Sequence, residues 1–233
     1  MSLRPLAVFD VDGTLVDSRA TIHRAAVESA RGIGMAEPSY DAVRQIVGLS
    51  LAQALRELAP ELDDAEHARF VAGFQAAFQR FHAVPGFKEP LYDGAERTLR
   101  RLKREGWIIA MATGNSRRGV ERILNLHGWG EVFDTTWCAD DGPGKPHPNM
   151  ITKALEATGA EPRQAIMIGD TSHDMRMAVN AAVYPQGVSW GFHTTEEIMA
   201  SGARRVAHSF DELDGALDAF AATLASPEAA IAG

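Results

Sequence analysis

Four short runs, LAVFD (6–10), WIIAMAT (107–113), TTWCAD (135–140) and AIMIGD (165–170), are apolar at successive positions rather than at alternate ones. A strand with one wetted face alternates. One that is apolar on both faces must be covered on both, as in a parallel sheet layered between helices. Amphipathic segments supply the cover: GAERTLRRLKREG (94–106), SRRGVERILNLHG (116–128) and PNMITKALEATG (148–159), each closing on a glycine suited to a helix C-terminus. The alternation predicts an α/β fold, a doubly wound, Rossmann-like parallel sheet with right-handed crossovers. No repeat of fixed period interrupts it.

Between Ser18 and Val84 the alternation stops and every periodic segment is helical: SRATIHRAAVESARG, YDAVRQIVG, SLAQALRELAP and DDAEHARFVAGFQAAFQRFH. In the last, Phe70, Val71, Phe74, Ala77, Phe78 and Phe81 recur at three- and four-residue spacing and form one wide apolar face, read here as a core stripe. The length suffices for a small helical bundle. The expected organisation is a core of residues 1–16 and 86–233 with an inserted helical-bundle cap, residues 17–85. The crossings are expected near Val16 to Ser18 and near Val84 to Phe87.

A formal charge of −8 argues against a general nucleic-acid binder, because phosphate backbones demand clustered Lys and Arg. Cys138 is the single cysteine, which rules out an intrachain disulfide and a cysteine-rich zinc site. It is read as a buried core thiol. No apolar stretch approaches the roughly 18 residues of a membrane span, and MSLRPLAVFD lacks the long apolar core of a signal peptide. A cytoplasmic protein acting on small molecules, with no membrane partner, is expected.

The polar residues cluster where such folds bind ligands, beyond the carboxyl ends of the strands. Asp10 and Asp12 end the first run in VFDVDGTLVD, Thr113, Gly114 and Asn115 follow the second, and Asp170 ends AIMIGD with Asp174 four residues on. Lys145, one of four lysines, sits in the loop GPGKPHP on no helix face. Carboxylates crowded beside an apolar strand repel each other unless a positive group lies among them.

These strings, in this order, resemble the four motifs of the haloacid dehalogenase superfamily: DVDGTL, then TGN (113–115), then Lys145 in GKPHP, then GDTSHD (169–174). The resemblance covers nearly the whole chain up to about residue 222, and the helical insertion stands where the family's type-1 caps lie. It implies Asp10 as a nucleophile that forms an aspartyl-phosphate, and Asp12 as general acid and then base. It implies Mg²⁺ held by the carboxylates of Asp10 and Asp170 and by the backbone carbonyl of Asp12, with Asp174 holding a bound water or orienting the site. Thr113, the amides of Gly114 and Asn115, and Lys145 are implied to bind the phosphoryl oxygens.

Within the superfamily, dehalogenases lack the acid two residues on and need no metal, so Asp12 and Asp170 argue against that branch. No lysine precedes Lys88, which closes the Schiff-base route of the phosphonate hydrolases. A phosphatase of small phosphorylated metabolites remains, and GVSWGFHTTEEI (187–198) resembles the phosphoglycolate phosphatase and pyrophosphatase group. The expected substrate is 2-phosphoglycolate, with pyrophosphate or a nucleoside monophosphate as alternatives; a non-catalytic binding protein is the reading from another class. His147 and His173 are assigned to packing or capping, and the seven cap arginines to solvated helix faces with one or two turned to substrate. Oligomeric state is not legible.

Overall fold

The computed structural model describes residues 4–225. The first three residues of MSLRPLAVFD and the tail from residue 226 lie outside the described residues. Six strands form one parallel sheet in the order β3-β2-β1-β4-β5-β6: β1 (Leu6–Phe9), β2 (Ile108–Ala112), β3 (Thr135–Trp137), β4 (Ala165–Gly169), β5 (Tyr184–Val188) and β6 (Arg205–Ala207). Val8 of β1 pairs with Ala110 on one side and Met167 on the other, which puts β1 at the centre.

The two-faced runs explain the layering. Ala7, Phe9, Ile109, Met111, Ile166 and Ile168 face one layer, packing with Leu99 of α5 (Ala95–Arg104), Val120 of α6 (Arg117–His127) and Leu213 of α10 (Phe210–Ala225). Leu6, Val8, Ala110, Ala112, Ala165 and Met167 face the other, against Met150 and Ile151 of α7 (Asn149–Thr158) and Met177 of α8 (Ser172–Asn180). The inner strands β1, β2, β4 and β5 therefore bury both sets of alternate residues, whereas the edge strand β3, expected from TTWCAD to be covered on both faces, is only half-buried. Cys138 is fully buried in the first layer. A further short helix, α9 (Thr195–Ala200), follows β5.

Four helices lie between β1 and α5: α1 (Arg19–Gly32), α2 (Tyr40–Ile46), α3 (Leu51–Leu58) and α4 (Asp64–Ala83). Asp63 and Glu66 start α4 with a reciprocal capping box. Small residues of α1 let α4 approach closely, and Ser29 Oγ donates to the Phe70 carbonyl at 2.5 Å across the pair. The apolar face of α4 is divided. Phe70, Ala77 and Phe81 are buried inside the bundle, whereas Val71, Phe74 and Phe78 are half-buried and line a cavity beneath it, so the stripe is only in part core.

The chain enters the bundle at residues 15–17 and leaves it at residues 90–92, and these two segments are bonded side by side. Asp17 N donates to Pro90 O at 2.8 Å, Tyr92 N to Leu15 O at 3.1 Å, and Val16 bridges Leu91 between them. The second crossing thus pairs farther along than the expected Val84 to Phe87, because Phe87 packs edge-on against His82, 5.1 Å between ring centres, and belongs with the helices. Among the described residues no helix is long and apolar enough to cross a membrane.

Candidate active site

β1 delivers Asp10 at the carboxyl edge of the sheet, where its amide extends the ladder by donating to Ile168 O at 3.0 Å. The chain then folds back on itself: the amides of Thr14, Leu15 and Val16 all donate to Val11 O. Gly13 makes this turn with φ +85°, and a Cβ there would meet Asp170 Oδ2 at 2.2 Å. The turn directs Asp12 away from Asp10. Its Oδ2 accepts from Asn115 Nδ2 at 2.5 Å.

Asp170 sits at the end of β4. Its Oδ1 accepts from Thr14 Oγ1 at 2.7 Å and its Oδ2 from Phe192 N at 2.8 Å. Gly191 closes the other side of this cradle, since a Cβ there would come within 2.1 Å of the same carboxylate. Asp174 lies in the first turn of α8, where Oδ2 accepts from Thr171 N at 3.0 Å and Thr171 Oγ1 at 2.6 Å. Lys145 reaches the cluster from the loop after β3 and is fully buried. Its Nζ forms ion pairs of 2.7 Å with Asp10 Oδ1 and with Asp174 Oδ1. The positive group among the carboxylates is therefore this lysine. It faces Asp10 and Asp174 directly.

Carboxylate oxygens of Asp10, Asp170 and Asp174 lie within 4.8 Å of one another, all buried. The Asp12 side chain is not among them, being held by Asn115. Asp10 Oδ2 is buried with no hydrogen-bond partner. An oxygen-only donor set with an orphaned anionic oxygen, packed against glycines, fits a hard divalent cation.

Electrostatics follow from this crowding. Burial, opposed by Lys145 and reinforced by Asp174 and Asp170, raises the Asp10 carboxyl well above its ordinary range. Burial and the charge of Asp174 push Asp170 up to about 7. Burial works against the Lys145 ammonium, but Asp10 and Asp174 overcome it and hold its proton more tightly than usual. Asp12 is raised by burial and then by the charge of Glu89.

Thr113 is buried, and its Oγ1 accepts from Asn115 N at 3.2 Å and Asn115 Nδ2 at 3.3 Å, so the threonine organises the TGN turn. Gly114 lies under the cap loop, where a Cβ would meet Leu49 O at 2.5 Å and Gly48 O at 2.8 Å. The loop Val47 to Ser50 lines the cavity, which measures about 940 Å³ and opens onto Asp10 and Asp12. His147 is exposed and accepts from Asn149 N at 3.2 Å. His173 Nε2 instead meets Gln45 O of the cap at 3.0 Å, a cap-to-core role.

None of the cap arginines lines the cavity; the arginines that do, Arg118 and Arg122, come from α6 of the core. Arg44 crosses from the cap to Glu197, with Nη1 2.8 Å from Oε2. Sequence reasoning also missed His82, Glu89 and His193. His82 Nε2 lies 2.9 Å from Glu89 Oε2, Arg122 Nη1 lies 3.7 Å from the same oxygen, and His193 Nε2 lies 3.1 Å from Arg44 O. Spacing on α4 put His82 one turn beyond Phe78; nothing local marked the other two.

The chain resembles known proteins over most of its length. A phosphatase of Dickeya dadantii, "Probable phosphatase IndB", is 33% identical over 97% of this chain and 98% of its own. The phosphoglycolate phosphatase of Vibrio vulnificus is 30% identical over 89% of this chain and 93% of its own. The crystal structure described as that of "a predicted phosphatase from Clostridium acetobutylicum" superposes with a TM-score of 0.82 at 26% identity, covering 94% of this chain and all of the other. The model of the haloacid dehalogenase-like hydrolases matches residues 7–188, and with the parallel sheet and the converged aspartates in place the chain belongs to that family.

Proposed function

We propose that this protein is a Mg²⁺-dependent phosphatase that hydrolyses a small phosphate monoester through an aspartyl-phosphate on Asp10. The observation that carries the reading is the convergence of Asp10, Asp170 and Asp174 around the buried ammonium of Lys145, with Asp12 turned aside beside them. Asp10 and Asp170 with the backbone carbonyl of Asp12 would hold the cation, and Asp174 would orient the site. When bound, Mg²⁺ supplies the positive charge that lets one anion approach another.

Lys145 opposes the protonation that burial favours at Asp10, and the Asp10 carboxylate forms the new bond to phosphorus as the bond from phosphorus to the leaving oxygen breaks. Asp12, whose proton is held by burial and by Glu89, donates it to the leaving oxygen. The ionised Asp12 then takes a proton from water, whose oxygen displaces Asp10 from phosphorus. Asn115 keeps the Asp12 side chain in place throughout. Thr113, Gly114 and Asn115 form the turn against which the phosphoryl oxygens rest.

The cap loop lies over the TGN turn, with the carbonyls of Gly48 and Leu49 against Gly114, which supports a small ester over a protein substrate. Among small esters, 2-phosphoglycolate is the first candidate from the sequence, with pyrophosphate or a nucleoside monophosphate behind it. Phosphate release from an aryl phosphate tests the reading: it should require Mg²⁺ and disappear in Asp10→Asn. No release at any metal concentration would leave a binding protein on this scaffold.

A further inference from the structure

The cavity is large for a two-carbon acid. Its volume of about 940 Å³ lies at the upper end of the range that encloses drug-sized ligands. Its cap wall is apolar and aromatic. Val71, Phe74 and Phe78 are half-buried on one side of α4, and the rings of Phe74 and Phe78 stack with centres 5.9 Å apart and 14° between planes. A small acid would leave this wall facing water, at a cost in unburied apolar area.

Arg122 of the core meets this wall at its edge. Its guanidinium lies over the Phe78 ring, 5.5 Å from the centre, and its Nη1 is buried with no hydrogen-bond partner. Glu89 stands 3.7 Å from it and is itself held by His82, so the arginine's charge is largely answered while a donor is left over. A neutral acceptor oxygen suits that donor better than a second anion, which would also meet Glu89. Arg122 is five residues into α6 from Arg117, roughly 7.5 Å along the helix at 1.5 Å per residue.

Resting on the phosphatase reading above, we infer that Phe74, Phe78 and Arg122 form a leaving-group subsite, and that the substrate is the phosphomonoester of a ring-sized, hydroxyl-bearing alcohol, a sugar or nucleoside, rather than of a two-carbon acid. The ring lies against the phenylalanines and a hydroxyl accepts from the accessible part of the Arg122 guanidinium. Glu89 is a positioning residue for Arg122.

The test compares kcat/KM for ribose 5-phosphate, uridine 5′-monophosphate and 2-phosphoglycolate. The better ring ester should exceed 2-phosphoglycolate at least ten-fold, and Arg122→Gln and Phe78→Ala should each reduce that ratio at least five-fold; Phe78→Leu replaces the alanine variant if it does not fold. A wild-type preference for 2-phosphoglycolate, or a ratio that neither substitution moves, overturns the inference. Calorimetric titration of Asp10→Asn, or of Asp12→Asn should the first not fold, separates the subsite from the chemistry. There the ring ester should bind at least ten-fold tighter than 2-phosphoglycolate, and adding Arg122→Gln should erase the difference. Equal affinities would refute the subsite even in an active phosphatase, and tighter ring-ester binding without turnover of any ester would refute the phosphatase reading alone.

Discussion

Lys145 Nζ and Asp10 Oδ1 meet at 2.7 Å with both side chains out of solvent, a lysine from the loop after β3 answering a carboxylate from the central strand. Removing one partner of such a buried pair leaves the other uncompensated. Lys145→Met is therefore expected to cost about 3–5 kcal/mol of stability in chelator and to lower kcat by about 10²-fold or more. Urea unfolding and steady-state kinetics check the two losses. Mg²⁺ should restore much of the stability and little of the rate, and a variant as active as wild type would contradict the proposed role.

Asp10→Asn should fold, because the amide keeps the shape of the side chain and Lys145 retains Asp174. Turnover should fall by far more than the tenfold that 1.4 kcal/mol of barrier represents. A circular dichroism spectrum like that of wild type, with no phosphate released, is the expected pair of results.

Asp12→Asn should discriminate between leaving groups. Nitrophenol leaves without much help from an acid, whereas an alkyl alcohol needs the proton that Asp12 holds, so the loss should be at least ten-fold greater on an alkyl phosphate. Equal losses on both would remove the acid role from Asp12.

The Asp170 carboxyl ionises at about 7 in the folded chain and near 3.9 in an unfolded one. Between those values the folded chain holds a proton that the unfolded chain has released. In chelator this contribution is fully present below about pH 4 and is lost as pH rises through 7, at most about 4 kcal/mol. Mg²⁺ competes with protons for the site, so its addition should raise the melting temperature more at pH 8 than at pH 5. Stability in chelator that climbs from pH 5 to pH 8 would refute this.

Arg44 of the cap and Glu197 of the core are both part-exposed, and the guanidinium holds the Glu197 carboxyl down at about 2. Glu197→Gln should weaken the closed arrangement by about 1 kcal/mol, read as faster amide exchange in α2 and a higher KM. Exchange in β1 and β4 should not change.

The central strands were legible because β1, β2 and β4 are apolar on both faces, a pattern that only a covered parallel sheet explains. β5 was not: YPQGV carries Pro185 and Gln186 in its middle, and β6 is three residues beginning with Arg205. The converging aspartates were readable from their places at strand ends. The division of α4 was not, because a residue facing a bundle core and one facing a cavity share the same three- and four-residue spacing. The cavity arginine was misplaced for a similar reason, as Arg122 on α6 has the composition of an ordinary exposed helix position. The pairing of Lys145 with Asp10 and Asp174 depends on a loop, a strand end and a helix start meeting, and no local pattern encodes that.

The bonded crossing of residues 15–17 with residues 90–92 has a mechanical meaning. Two separate tethers behave like strings and let a lid twist, slide and tilt; two tethers laced to each other behave like the leaf of a door. Twisting would have to break the bonds from Asp17 to Pro90 and from Tyr92 to Leu15, whereas bending across the ribbon keeps both. Bending across the ribbon is thus the softest motion left between cap and core, the one that spares both bonds.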